Sequence, residues 1–362
     1  MSHRTIIIAE AGVNHNGSLD MALELVDRAR ECGADIIKFQ TFKADRLVTN
    51  EVEKANYQKS ATGHHESQYD MIKKLELTEE DFVAIERRCR QVGIEFLSTP
   101  FDAESLDFLV QRCGVSTIKF SSGEITNGPL LLAAARTGRK IILSTGMSTI
   151  GEVERALSVL AYGFLDESEP PSLEAFERAY ASPQGQAALA RNVTLLHCTT
   201  EYPAPFGEVN LRVMDALKSA FGLPTGYSDH TVGIAVPIAA AARGAAVIEK
   251  HFTLDRTLPG PDHQSSLEPA EFKAMVEAVR AVEQSLGSPV KIPAASELKN
   301  KLVVRKTIVA AKPIREGETF TEDNLAVKRA GPGMSPMMFW DLLGKKADRP
   351  YRKDQVIRNA GD

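Results

Sequence analysis

Aromatic side chains are scarce in this chain, at 6% of 362 residues with Trp340 as the single tryptophan. Its core must therefore be filled by Ala, Ile, Leu and Val. Cysteines number four, at Cys32, Cys89, Cys113 and Cys198, and no two have C-x-x-C spacing. A zinc knuckle and a dithiol redox motif are thus excluded, and reduced thiols are expected. No apolar run approaches the ~18 residues of a membrane span, and the opening run is too short for a secretory leader. The expectation is a cytoplasmic protein without a membrane partner. Basic charge is not in excess: 43 Lys and Arg against 48 Asp and Glu give −5, which argues against a nucleic-acid partner. The strings G-x-G-x-x-G, H-E-x-x-H and G-x-S-x-G are absent. Their absence removes the dinucleotide-binding turn, the zincin helix and the nucleophile elbow.

What is present is an alternation of short β-rich runs with longer amphipathic helices. The runs fall at 5–9, 35–39, 94–97, 116–120, 140–143, 193–196, 222–227 and 246–249. The spacing predicts helices at 19–30, at 78–91 before Gly93, and at 233–244 in an Ala-rich segment. Eight such runs with helical crossovers fit an α/β fold of the (β/α)8 TIM-barrel type, with a doubly wound open sheet as the alternative. Barrel chemistry collects at the C-terminal ends of the strands. Polar residues do follow the runs: Glu10 with Asn14 and His15, Lys38 with Gln40, Ser98 to Asp102, Lys119 with Glu124, Ser144 with Thr145, and His197 to Tyr202. His230 and His251 follow the last two.

Two excursions interrupt the alternation. The stretch 55–76 is expected to form a long loop over the site. The acidic stretch 166–191 is expected to be a surface insertion with a short helix and no catalytic role. The texture changes after Gly287, which divides the chain into a barrel at 1–287, a linker at 288–301 and a mostly-β domain at 302–362. A domain of about 60 residues is marginal by itself and is expected to rest on another surface.

Lys38, Lys119, Thr99, Ser122 and Ser228 are all donors at strand ends. Two ammonium groups with hydroxyls suit a small phosphorylated carboxylate. The competing reading pairs each lysine with a barrel carboxylate such as Glu10, Glu124 or Glu249. His3, His15, His64, His65, His197 and His263 are expected at the surface, in turns or in packed positions. His230 and His251, on consecutive strands, suit a divalent metal acting as Lewis acid on a carbonyl, with Mn2+ or Mg2+ fitting beside carboxylates. These features point to carbon–carbon bond formation. A metal-dependent barrel hydrolase or lyase, or a non-catalytic carbohydrate-binding protein, stands as the alternative.

The strings A-E-A-G-V-N-H-N-G-S, I-K-F-Q-T, F-L-S-T-P-F-D, K-F-S-S-G-E, I-I-L-S-T-G-M, L-L-H-C-T-T-E-Y-P-A-P, G-Y-S-D-H-T, I-E-K-H-F-T-L-D and G-P-D-H together resemble the sialic acid synthase family over nearly the whole chain. The C-terminal segment, with V-K-R-A-G-P-G, looks like that family's antifreeze-like (SAF) domain. The resemblance implies condensation of phosphoenolpyruvate with an N-acylated mannosamine-type sugar to give a nine-carbon nonulosonic acid. It implies His230 and His251 as ligands of Mn2+, with Mg2+ or Co2+ as alternatives. It places phosphoenolpyruvate on Lys38, Thr99, Lys119, Ser122 and Ser228, and on Thr200 where relatives often have Asn. Glu10, Gln40, Tyr202 and Asp262 match positions that hold the sugar, with Glu10 or Asp262 handling protons. Arg329 matches an arginine that enters the partner subunit's barrel, which implies a domain-swapped homodimer. The strings E-S-Q-Y-D-M-I-K-K-L-E-L and G-P-D-H-Q-S-S-L-E-P look more like the legionaminic acid branch, whose acceptor is 2,4-diacetamido-2,4,6-trideoxymannose.

Overall fold

The β-rich runs become parallel strands because each alternates two apolar faces, one for the strand interior and one for the covering helices. A computed structural model describes residues 4–49, 54, 67–166 and 169–358. The strands are β1 (Ile6–Gly12), β2 (Ile36–Thr41), β3 (Glu95–Pro100), β4 (Thr117–Phe120), β5 (Lys140–Ser144), β6 (Val193–Cys198), β7 (Thr225–Asp229) and β8 (Val247–His251). Their order is β3-β2-β1-β8-β7-β6-β5-β4. The first strand bonds in parallel to the last, Ile6 to Glu10 pairing with Val247 to His251. That pairing rolls the sheet up, and β3 lies beside β4 at the seam. The fold is the expected (β/α)8 barrel, not the open sheet.

Parity decides what the barrel interior contains. Ile8, Ile36, Leu97, Ile142, Leu196 and Val247 form an inner cluster of their own. Two residues further along the same strands, and so on the same face, stand Glu10, Lys38, Thr99, Ser144, Cys198 and Glu249. An apolar plug thus lies beneath a polar layer. The opposite parity, including Ile7, Ile37, Phe39, Phe120, Leu195, Tyr227 and Ile248, joins the larger core between strands and helices. Helices start where the chain supplies caps. Thr78 and Thr149 each form a capping box, with Asp81 and Glu152 respectively. Gly93 ends the first of these helices in the left-handed conformation.

Several boundaries shift. β7 begins at Thr225 instead of 222, because Gly222 caps the helix Val213–Phe221 at φ 65°. β8 runs to His251, so that histidine is a strand residue. The Ala-rich helix is Ala235–Ala242. The 166–191 stretch holds two helices, Leu173–Ala181 and Pro183–Asn192, since Pro183 starts a new helix on its Ser182 cap. They pack on the helix Ile150–Leu165, at the surface as expected. Residues 55–66 of the expected loop lie outside the described residues, and the rest contains the helix Gln68–Lys73. No described helix is long and apolar enough to cross a membrane.

The chain divides into two units, Met1–Gly287 and Ser288–Asp362. The stretch expected as a linker carries part of a helix, Ala295–Val304. In the second unit β9 (Thr307–Ala310) pairs antiparallel with β10 (Leu325–Lys328). Ile308, Ile314, Phe320, Leu325, Leu342, Tyr351 and Ile357 form its core.

Candidate active site

A cavity of about 290 Å3 opens above the polar layer of the barrel. Glu10, Lys38, Gln40, Thr99, Lys119, Ser122, Tyr202, Ser228, His230, His251 and Asp262 all line it. Of the residues expected in the site, Thr200 lies beside the cavity and Arg329 belongs to the second unit, exposed just after β10.

The floor is a chain of buried charges. Lys38 Nζ stands 2.7 Å from Glu10 Oε2 and 3.8 Å from Glu249 Oε1. Lys119 Nζ stands 3.4 Å from the same Glu249 oxygen, to which Ser228 Oγ donates at 3.0 Å. Lys38 also donates to Thr99 Oγ1 at 3.4 Å. The lysines therefore do pair with barrel carboxylates, Glu10 and Glu249. Glu124 is not one of them; it accepts from Asn127 instead. Burial pushes Glu10 up to about 7 even with Lys38 beside it. Burial also depresses Lys119, against the pull of Glu249. Lys38 rises, because Glu10 and Glu249 outweigh its desolvation.

Gly146 gathers a second group. A Cβ there would collide with Thr200 Oγ1 and stand 2.8 Å from Ser122 Oγ and 3.0 Å from Cys198 Sγ, so any other residue would push these groups aside. Its N–H donates to Ser122 Oγ at 2.9 Å. Thr200 Oγ1 and Ser144 Oγ are buried, with no hydrogen-bond partner among the described residues. Gly12, at φ 53° beside a register shift in β1, gathers a third group. Glu10 Oε1, Gln40 Nε2 and Asp262 Oδ2 lie 3.1, 3.2 and 3.6 Å from where its Cβ would be. Burial raises Asp262 to about 6.

The imidazoles of His230 and His251 meet edge to face, ring centres 5.5 Å and planes 60° apart. His230 Nδ1 is bonded to the Thr199 carbonyl at 2.6 Å, which makes it the N–H and leaves Nε2 with the lone pair. Tyr202 lies over His230 with centroids 4.1 Å apart. His251 Nδ1 is buried without a hydrogen-bond partner among the described residues, 4.0 Å from Asp262 Oδ2. Burial lowers His230 to about 4, and burial together with His230 lowers His251 well below the ordinary histidine range. Both rings are neutral donors at neutral pH. The other described histidines are occupied elsewhere: His15 accepts from Gly17 N–H, His197 meets the Val209 carbonyl and His263 meets Thr253. His3, His64 and His65 lie outside the described residues.

Residues 25–291 match the family model described as NeuB family, and residues 305–361 match the SAF domain. The chain belongs to the NeuB family. This NeuB-family chain is 47% identical over 355 residues to the N,N'-diacetyllegionaminic acid synthase of Campylobacter jejuni, covering 98% of this chain and 99% of that relative. It is 44% identical to the N,N'-diacetyllegionaminic acid synthase of Legionella pneumophila, over 94% of this chain and 89% of the relative. Its structure is similar to that of the N-acetylneuraminic acid (sialic acid) synthetase from Leptospira borgpetersenii in complex with citrate. There the TM-score is 0.65 at 33% identity, over 82% of this chain and 90% of that one.

The sequence sets Ser144, Gly146 and Cys198 after their strands at the barrel rim but assigns them no role in the site, and it offers Glu249 only as a lysine partner. The signal for three of them was parity: each of Ser144, Cys198 and Glu249 lies two residues beyond an inward apolar residue. The outer wall of the cavity was legible only in part: the stretch 55–76, expected over the site, supplies Met71 and Leu75, but its apolar character was not read. Val13, Phe42, Leu47, Met71, Leu75 and Phe101, from segments following β1, β2 and β3, form an apolar side facing the charged floor.

Proposed function

We propose that this NeuB-family chain condenses phosphoenolpyruvate with an N-acylated mannosamine-type aldose and water, releasing phosphate and a nonulosonic acid. The observation that carries this reading is the convergence of two buried lysines and two neutral imidazoles on one cavity. Lys38 and Lys119, with Thr99, Ser122, Thr200 and Ser228, hold the carboxylate and phosphate. Their charge acts throughout the reaction in a site shielded from bulk water. The two unpartnered hydroxyls near Gly146 support an incoming anion there, since a buried donor gains most from a charged acceptor.

The donor set suits a divalent ion. His251 Nδ1 is buried and unpartnered, His230 offers Nε2, and both rings are neutral. Among the described residues no group of three or more His, Cys, Asp and Glu is arranged to hold a metal. His230 and His251 would therefore be its protein ligands, the remaining positions being left to substrate and water. When bound, the ion, Mn2+ ahead of Mg2+ or Co2+, supplies Lewis-acid polarisation of the sugar aldehyde. C3 of phosphoenolpyruvate bonds to the aldehyde carbon, water adds at C2, and the tetrahedral carbon loses phosphate by C–O cleavage. Glu10, poised near 7, holds or gives a proton at the sugar, and Gln40, Tyr202 and Asp262 orient it.

For the acceptor we favour 2,4-diacetamido-2,4,6-trideoxymannose, giving N,N'-diacetyllegionaminate, over N-acetylmannosamine or its 6-phosphate. The apolar wall suits acetamido methyls and a deoxy carbon. Among the described residues that line the cavity, the cations are Lys38 and Lys119, both engaged at the floor. The names of the two relatives agree with this choice. We further propose a domain-swapped homodimer in which Arg329 reaches the partner subunit's barrel. A cytoplasmic setting is supported by four free thiols.

Phosphate release is expected to require both phosphoenolpyruvate and the sugar, and to stop with EDTA. Phosphate formed without sugar, or full activity in EDTA, would overturn the mechanism.

A further inference from the structure

We infer that Asp229 and Lys250 are positioning residues for His230 and His251, acting from the opposite face of the β7–β8 ladder. The inference rests on the reading of those histidines as metal ligands. Asp229 and Lys250 are register partners on the two adjacent strands. By parity their side chains point away from the barrel interior, while Ser228, Glu249 and His251 point into it. Both side chains are fully buried, and Lys250 Nζ donates to Asp229 Oδ2 at 2.6 Å. The same ammonium donates to the carbonyl of Thr231. Asp229 Oδ1 accepts the Thr231 N–H at 3.1 Å and its hydroxyl at 2.9 Å.

The consequence lies in the numbering. The residues on either side of His230, at 229 and 231, are both tied to the residue immediately before His251. The turn leaving β7 is closed around one cation from β8. The backbone carrying one imidazole is thereby fixed relative to the backbone carrying the other. Core stability does not require this arrangement, because apolar replacement of a buried ion pair is often neutral or stabilising. What an apolar pair lacks is direction. The charged hydrogen bonds here set the spacing of two ligands that come from different strands; groups bonded to the ligands themselves typically change metal affinity by about 10–100-fold, and this pair, acting through the backbone, is expected at the lower end of that range.

The test is Asp229→Asn combined with Lys250→Met. Asn keeps an acceptor for the Thr231 N–H, and Met keeps the bulk without the cross-strand bond. Mn2+ affinity is read from the EPR signal of the free aquo ion in titrations of the full chain, alongside the KM for phosphoenolpyruvate. The expected result is a folded protein whose Mn2+ Kd rises at least about tenfold while that KM holds within about twofold. A folded double variant with wild-type Mn2+ affinity overturns the inference. So does an equal rise in both quantities, the sign of general loosening. Should the double variant not fold, Thr231→Val, which keeps the Asp229–Lys250 pair and loses only the hydroxyl bond to Asp229, is expected to weaken Mn2+ by about threefold, within the worth of one hydrogen bond; an unchanged Kd then overturns it. If wild-type protein binds no Mn2+, the metal reading falls and this inference with it.

Discussion

At the scale of single residues, Thr200 offers a test of folding against the proposed function. Its hydroxyl is buried without a partner among the described residues, so it costs desolvation and returns no hydrogen bond within the protein. Thr200→Val keeps the shape and removes that cost. The melting temperature is expected to stay level or rise slightly. The KM for phosphoenolpyruvate should rise by about 10- to 100-fold, the worth of one hydrogen bond to a charged group. A lowered melting temperature with an unchanged KM would assign the hydroxyl to structure instead. Thr200 was legible in the sequence as a polar residue after the sixth run. Its setting was not, because Gly146, which makes room for it, lies more than fifty residues away in the turn after β5.

At the scale of elements, the acceptor choice proposed above rests on the short helix Gln68–Lys73 and the loops after β1 to β3, which line the cavity. This helix is six residues long, too short for its period to stand out from the surrounding polar stretch. Its buried Met71 lines the cavity on the apolar side. Met71→Lys replaces one unbranched side chain by another and adds a cation on the apolar side, away from Lys38 and Lys119 at the floor. Relative kcat/KM for the 2,4-diacetamido sugar over N-acetylmannosamine 6-phosphate is expected to fall by about tenfold, worth ~1.4 kcal/mol. An unchanged acceptor ratio would remove the apolar wall from the account of specificity. The strands behave differently. Each is a short run whose inner and outer residues alternate, and their existence was readable throughout, although β7 was displaced by the glycine that ends the helix before it.

At the scale of the whole molecule, the second unit has a core of its own, yet Arg329 leaves it exposed immediately after β10. If Arg329 completes the sugar site of a partner subunit, Arg329→Ala should raise the sugar KM by about tenfold or more, the usual loss of a charged hydrogen bond. The KM for phosphoenolpyruvate and the melting temperature should stay near wild type. Sedimentation at assay concentration should report a dimer. An unchanged sugar KM, or a monomer with full activity, counts against the swapped arrangement.

The sequence by itself determined the barrel, its order of strands and helices, and most of the residues that reach the cavity. Those properties are local. Alternation of apolar and polar residues sets which face a side chain takes, and the parallel crossover rule sets where the strand ends gather. Only the tertiary structure decided the partnerships. Glu10 took Lys38 and Glu249 took Lys119 in place of Glu124, Thr200 met the open side of Gly146, and Asp229 joined Lys250 behind the two histidines. Each of these depends on distances between strands far apart in the chain, and burial then turns those distances into the shifted charges of the site.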